Sequence, residues 1–572
     1  DRLGWEHVRQ TAALDTDHLP ASFDRAYVYL HTYADGPNDT KPTAKAAILD
    51  DINNQGVILW NYIGHGSPLK IADESVLLES DAGTLVNAGR PGVFVSASCD
   101  VGKYHDPSQT SLGERLVMNP NGGCVAVVSA TEEAFSGQNA TLNQSFYDQI
   151  FKRDTTTTAS TYGKYYVGVS EALLKAKTGD VNGQKYQVMG DAGTSLALPR
   201  LWLDLALRDT NGAPIDTLRR GQRVRFDGHV LDRPGGAILP FTGAAAILSE
   251  DSAPIDSTFP CPWCPTAPYF YPFRAAPMFR GDARITAGAV AGEFIVPLDA
   301  TLGPRGRLRA YADGAAAGIA SSIDGVGSQP FVLVSGTGAS DDQEGPKIAL
   351  SFTGGSTSVR PDALLRVDLF DESGILITGH TAQNGIIVTM DGNSNTRADI
   401  TPSFRSSADS YRGGSASFRL PGLPAGPHQI SVSAADNLAS GINAARHRAS
   451  GTIAFEVSDT PPLSIRRAFL FPDPTRSGGP GGGGQFVIDA PGDSVNILLH
   501  IYSVSGRLIR TLKAFGRLGQ VQIPWDGRDA EGDRLANGVY LFHVQANVRD
   551  PDGSSSARSR AIGDGRFVIV GR

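Results

Sequence analysis

Val57-Ile58-Leu59-Trp60-Asn61-Tyr62-Ile63-Gly64-His65-Gly66 is a nearly unbroken apolar run that stops at Gly-His-Gly. Such a run, bounded by glycine, reads as a strand buried on both faces, hence a parallel strand with helices on either side. Gly92 to Ala97 (GVFVSA) and Cys124 to Ser129 (CVAVVS) share the pattern, and Arg25 to Leu30 (RAYVYL) reads as a strand upstream. Helix patterns lie between them. Thr43 to Gln55 has apolar residues at helical spacing, with Thr43 as N-cap and Gly56 past the end. Ser111 to Met118 and Leu142 to Phe151 are further helix candidates. Strand–helix alternation through residue 200 implies an α/β sheet covered on both faces.

In open α/β sheets the chemistry gathers at the carboxyl ends of the strands. The first run ends in His65, and the second leads into Ser98-Cys99. A single crossover helix between adjacent parallel strands would put both side chains on one edge. A thiol is a good nucleophile only as thiolate, and a nearby imidazole can take its proton or give one to a leaving amine. Gly64 and Gly66 let the backbone turn sharply beside His65. The amides of Gly66 and Cys99 are the expected oxyanion donors, each worth roughly 3–4 kcal/mol. Either residue alone reads as a packed small side chain or a satisfied turn histidine; their shared position makes them the expected catalytic pair. Cys124 sits inside its strand and reads as structural. His105 lies in a turn after the cysteine.

The chain has 572 residues, enough for several domains. A charged content of 19% beside 41% hydrophobic residues fits folded domains. The net charge of −8 and the lack of a basic, aromatic-interleaved stretch argue against a nucleic-acid partner. No apolar run reaches the ~18 residues of a membrane helix. The chain starts at Asp1 without a Met or a leader-like stretch, so it reads as a fragment or a mature piece, and the missing leader says nothing about export. Gly (66) and Pro (35) are abundant, which suggests many turns and much β structure.

After Pro199 the helical periodicity disappears. Residues 201–340 show short alternating runs such as Val224 to Val230 and Gly292 to Pro297, a β-sandwich pattern. Ser335 to Gly345 is a polar linker. Residues 341–460 repeat the β texture with Lys347 to Phe352, Leu364 to Leu369, Ser415 to Leu420, His428 to Ala434 and Thr452 to Val457. Residues 461–572 form a last β module with a Gly-rich insertion, Gly478 to Gly484, and hairpin turns at Ser505-Gly506 and Asn537-Gly538. Trp525 reads as a core anchor there. Cys261-Pro-Trp-Cys264 is a lone C-x-x-C in a Pro-rich, aromatic stretch, open to a local disulfide, a metal site or no role.

Residues 58–199 resemble the gingipain family of cysteine peptidases. The resemblance rests on Asn61 to Ser67 (NYIGHGS), Ser96 to Cys99 (SASC), Ser111 to Glu114 (SLGE), Gly122 to Ser129 (GGCVAVVS), and Gly190-Asp191 with Leu198-Pro199. It implies a caspase-like α/β catalytic domain (residues 1–200), which the β textures above follow with three all-β Ig-like sandwich modules. It also implies that His65 and Cys99 are the catalytic dyad. The family's Gly-Asp-Pro is here Gly190-Asp191-Ala192, a change expected to affect a loop. The family further uses an acidic residue upstream of its histidine, which no motif here locates. The loop Ala130 to Asn139 corresponds to the wall of a specificity pocket. Glu132, Glu133 and Phe135 are its candidate residues, and the two glutamates would favour a basic side chain unless they are simply a solvated pair.

The β half adds a second resemblance, to the sortases of type IX secretion. It is carried by Asp341 to Pro346 (DDQEGP), Asp371 to Ile375 (DESGI), Gly422 to Ile430 (GLPAGPHQI) and Ala434 to Asn437 (AADN). The last module resembles the sorting domains of that system and flagellar-hook-capping Ig folds, through Pro472 to Thr475, Ile501 to Leu512, Trp525 to Asp529 and Asn537 to Tyr540. The resemblances imply a sortase at the outer membrane and cell surface of a Gram-negative bacterium. It would cleave C-terminal sorting domains from cargo proteins, work with outer-membrane secretion components, and pass cargo to a surface lipopolysaccharide. The alternatives are a secreted gingipain-like endopeptidase that is itself cargo, and a non-enzymatic surface module. No cofactor is implied; calcium in an Asp-rich turn such as Asp180 to Gly183 is the rival of a solvated turn.

Overall fold

The computed structural model describes residues 5–153, 167–258, 268–316, 323–337, 342–352, 357–381, 384–439, 445–458, 465, 467–477, 483–489, 495–516, 520–549 and 555–570. Cys261, Cys264 and most of the Gly-rich insertion fall outside these residues.

The buried runs form the centre of the first domain. β1 (Leu59–Ile63), β5 (Gly92–Ala97), β6 (Cys124–Ala130) and β7 (Tyr186–Gly190) make a four-stranded sheet in that order. β1, β5 and β6 are parallel, and β7 closes the edge antiparallel. Alternate residues serve opposite faces, as the pleat requires. Val93, Val95, Ala126 and Val128 pack with α5 (Ser136–Ile150) and α6 (Val169–Ala176). Phe94 and Val127 pack on the other face with α2 (Pro42–Asp50) and α4 (Leu112–Met118). Both faces are covered, as the apolar runs imply.

Three expectations change. Arg25 to Leu30 is not a strand: Tyr27 and Tyr29 turn into an aromatic cluster instead of a ladder. The helix expected over Thr43 to Gln55 starts at Pro42 with Lys41 as N-cap and widens into a π turn, Asp51–Gln55, before Gly56 at φ 83°. The connection from β1 to β5 is not a crossover helix. It is a small sheet of β2 (Gly66–Ser67), β3 (Lys70–Ile71) and β4 (Leu77–Leu78), then one helical turn, α3 (Glu79–Ala82). Gly64, Gly66 and Pro68 break any helix there, and buried Ile71 and Leu77 anchor the hairpins.

The rest of the chain is almost entirely sheet. Residues 201–333, 352–457 and 470–569 each gather most of a core of their own. The first two are nevertheless joined edge to edge: strand Pro277–Ile285 meets Arg405–Ser406 through Gly281 and Ser406, so one sheet runs across the expected linker. In the last module Ser503 and Arg507 close the expected hairpin with Gly506 at φ 83°. Trp525 is buried in its core and donates its indole N–H to Arg528 O at 3.0 Å.

The first two domains also touch. The hairpin Ile255–Thr258/Tyr269–Pro272 leaves the sandwich and reaches α1 (Trp5–Ala13). Val8 and Ala12 of α1 share a core with Tyr29 and Tyr271, and Trp5 meets the edge of Tyr269. Arg309, itself buried, bridges Glu250 of the sandwich and Asp24 of the first domain.

Candidate active site

Parallel pairing sets Ile63 opposite Ala97, and Gly64 N–H still reaches Ala97 O at 3.5 Å. His65 and Cys99 each lie two residues beyond that last pair, at the same edge of adjacent strands. Gly66 shows how close the two loops come. A Cβ on it would stand 2.6 Å from Cys99 O and 2.5 Å from Ser98 Oγ, so only glycine fits against the cysteine loop.

The cysteine loop is tightly fastened. Val101 N–H donates to Cys99 O at 2.7 Å, closing a three-residue turn about Asp100, which sits at φ 54°. That backbone region is strained for a residue with a side chain, at a cost of about 1–3 kcal/mol. Asp100 N–H donates to Glu132 O and Gly102 N–H to Ala130 O, tying the turn to the loop after β6. Behind it Ser111 and Glu114 form a capping box: Ser111 N–H and Oγ–H both donate to Glu114 Oε2 at 2.8 Å. This starts α4, whose Gly113 N–H binds Val101 O. The Ser-Leu-Gly-Glu motif thus has a structural task. Cys99 itself is partly accessible. Its sulfur accepts the Ala134 N–H at 3.3 Å, and its thiol faces Ala134 O at 3.4 Å.

His65 is exposed on the turn between β1 and β2. Its carbonyl accepts Tyr62 Oη–H at 2.7 Å and Ala72 N–H at 2.9 Å, which hold its peptide while leaving the ring outside. The ring meets His7 of α1 edge to face, with centroids 5.3 Å apart. Burial, then the neighbouring His65, push His7 down to about 4, so His7 is neutral near pH 7. Glu6, next in the chain, accepts Ser136 Oγ–H at 2.6 Å and Gln10 Nε2–H at 3.2 Å. Through these bonds α1 is pinned to the start of α5. A cavity of about 960 Å³ opens beside His65, between α1, residues 24–31 and β1.

Glu132, Glu133 and Phe135 all lie exposed on the loop that carries Ala134. Glu132 pairs with His105 at 2.8 Å, so the turn histidine touches the same wall. Lys185 donates to Glu133 O and stands 5.8 Å from the Phe135 ring centroid. Cys124 is buried, and burial pushes its thiol up, out of reach of nucleophilic use. At Gly190-Asp191-Ala192 the chain turns, with Asp191 accepting Gly193 N–H at 2.9 Å, so the departure from Gly-Asp-Pro sits in a loop.

Asp180 does not stand in an open Asp-rich turn. It caps α7 (Val181–Lys185), accepting Gly183 N–H at 2.7 Å. Among the described residues, the group able to hold a cation is Asp342, Asp371 and Asp436, with ligand oxygens within 4.8 Å of one another. They come from three of the motifs singled out in the second β module, residues 341–460. Ser373 Oγ–H binds Asp342, and His447 pairs with Asp436 at 2.8 Å.

The motif order of the first domain and its strand-end geometry agree with one comparison. Residues 3–197 match Peptidase family C25. This bears out the gingipain resemblance for the first third of the chain. Residues 475–550 match the FlgD Ig-like domain. Among solved structures, the chain is similar to dimeric latent PorU from Porphyromonas gingivalis, at 23% identity over 70% of this chain and 37% of that one, with a TM-score of 0.31. It is also similar to the Arg-specific cysteine proteinase gingipain R (RgpB), at 14% identity over 51% of this chain and 57% of that one, TM-score 0.23. The chain thus spans well under two thirds of either protein. None of the curated proteins compared matches it. No described helix is long and apolar enough to cross a membrane.

Sequence reasoning missed α1 and the Ala134 peptide. Trp5, Val8 and Ala12 have helical spacing, which could have revealed the helix, but nothing local links it to a histidine nearly sixty positions on. A backbone N–H has no sequence signature at all.

Proposed function

We propose that Cys99 is the nucleophile and His65 the proton-transfer partner of a cysteine endopeptidase and transpeptidase. The observation that carries this is the fit of Gly66 against the Cys99 carbonyl, which keeps the two strand-end loops in contact. Cys99 Sγ attacks the scissile carbonyl and forms a thioester as the C–N bond breaks; the leaving amine takes the proton held by His65. An acceptor amine or water then attacks the thioester and restores the thiol. Gly66 and Cys99 amides are the proposed oxyanion donors. Glu6, fixed beside His7, is the proposed acidic residue upstream of the histidine, orienting the imidazole. Glu132, Glu133 and Phe135 would line the specificity pocket. Cys99→Ala should abolish peptide cleavage and labelling by a thiol-reactive acyl probe; a variant that still cleaves would remove the reading.

In its specific form, the proposal is a surface sortase of type IX secretion. It would remove C-terminal sorting domains from cargo at the outer membrane and transfer the cargo to a lipopolysaccharide amine. The motifs of the second β module, residues 341–460, and the match to Peptidase family C25 support this. Cells carrying Cys99→Ala should accumulate uncleaved cargo in the outer membrane, and normal cargo maturation there would sink it. The match of residues 475–550 to an Ig-like domain favours a second reading, a secreted endopeptidase that is itself cargo. Mass analysis of the mature protein separates them: cargo loses the residues after about 461, and a sortase keeps them. The third reading, a surface module without activity, requires that the acyl probe fail to label the wild-type protein.

A further inference from the structure

The Ala134–Phe135 peptide faces the Cys99 sulfur on one side and a buried amide on the other. Asn182, fully buried on α7, accepts Phe135 N–H at 3.0 Å and donates to Phe135 O at 2.7 Å. Its amide therefore pairs with Phe135 as one strand pairs with the next. Asn182 Nδ2 also donates to Asn139 Oδ1 at 2.8 Å, and Tyr186 Oη–H reaches that same oxygen at 2.8 Å. Tyr186 Oη lies 3.5 Å from Ser98 O, on the residue before the nucleophile. Asn139 and Tyr186 are likewise buried. The network starts at the Ser98 carbonyl and ends at the Ala134–Phe135 peptide, so it spans the sulfur from both sides. α5 has no side-chain cap of its own at Phe135; Asn182 satisfies that helix end from α7.

We propose that Asn182, supported by Asn139 and Tyr186, is a positioning residue that fixes the Ala134–Phe135 peptide with its carbonyl on the Cys99 thiol, and so keeps the proton on sulfur until the partner base takes it. This rests on the reading of Cys99 as nucleophile. The physical case is geometric. The Ala134 N–H favours the thiolate, whereas the Ala134 carbonyl favours the thiol. Phe135 N–H and Ala134 O belong to one peptide, so pinning the first to Asn182 fixes the direction of the second toward the sulfur. Buried amide pairs of this kind resist rotation, because breaking them leaves unsatisfied polar groups.

The test is the pH profile of Cys99 alkylation by iodoacetamide, read on the Cys99 peptide by mass spectrometry in the full chain. Asn182→Ala should move the half-point downward and speed alkylation near pH 7 by about tenfold, whereas a rise would mean that the Ala134 N–H governs the sulfur and would overturn the proposal. An unmoved profile in a folded Asn182→Ala protein overturns the proposal. If circular dichroism shows that this variant fails to fold, Tyr186→Phe decides. It removes one hydroxyl, and should give a smaller shift in the same direction; no shift overturns the proposal. Cys99→Ala keeps the two ideas apart. Retained cleavage there removes the nucleophile reading, whereas a lost cleavage with an unmoved Asn182→Ala profile removes the positioning role alone.

Discussion

The cysteine and the histidine stand side by side, yet the molecule holds them in opposite ways. The cysteine loop follows a strand buried along its whole length and is bonded to the loop after β6, to α4 and to a buried amide network. Everything that fixes it lies within the first domain. The histidine is exposed, borders a large cavity, and owes its ring contact to α1. α1 in turn is packed by Tyr271 from the second domain. The cysteine's side is held locally; the histidine's side depends on a distant hairpin. Substitutions in the sandwich should therefore reach the histidine and spare the thiol.

Gly66 joins the two sides, so its replacement should have the largest effect. In Gly66→Ala the new methyl cannot fit against Cys99 O and Ser98 Oγ, and the hairpin must shift by about an ångström. A displacement of that size costs about a hundredfold in kcat/KM. Steady-state kinetics checks this, and a variant with wild-type kcat/KM would show that the loops need not touch for turnover.

Tyr271→Ala comes next and tests the asymmetry itself. It removes a fully buried ring that packs on Val8, Ala12 and Tyr29, and should destabilise the contact by about 3–5 kcal/mol. Peptidase activity should fall about tenfold as α1 loosens, while Cys99 alkylation at fixed pH stays at the wild-type rate. The milder Tyr271→Phe loses only the bonds to His31 and Asp256, about 1 kcal/mol, and should change activity little. Equal losses in turnover and alkylation would mean that the two sides are held together.

The same asymmetry explains how much could be read from the chain. Gly92 to Ala97 is legible because an unbroken apolar run has few other places to go, and the structure has that strand with those limits. The two strand ends follow from it, as does the Ser111 capping box as a helix start. Arg25 to Leu30 misleads because alternating tyrosines fit an aromatic cluster as well as a strand, and the partner, Tyr271, lies far along the chain. Asp180 looks like part of a cation turn because capping and metal ligation use the same carboxylate. Asn182 and Ala134 act through backbone groups, which any residue supplies. The continuous sheet across residue 341 hangs on one strand pair, too short to leave a pattern.

The smallest effects concern pH and should run in opposite directions in two domains. Burial and His65 hold His7 down to about 4, below its ordinary 6.5. The unfolded chain takes that proton first, so stability present above 6.5 is lost as pH falls through about 4. Burial, then the charges of Asp436 and Asp342, push Asp371 up to about 8 from an ordinary 3.8, against the opposing Ser373 N–H. Here the folded state keeps the proton, so stability present below 3.8 is lost as pH rises through about 8. Hydrogen exchange, corrected for its intrinsic pH dependence, separates the two domains by peptide. Protection over residues 5–13 should weaken toward acid, and His7→Gln should flatten that slope. Protection over residues 364–376 should weaken toward alkali, and Asp371→Asn should flatten that one. Parallel slopes in the two peptides would mean that the domains unfold as a single unit, and that the α1 contact with the sandwich is strong enough to couple the histidine to the whole chain.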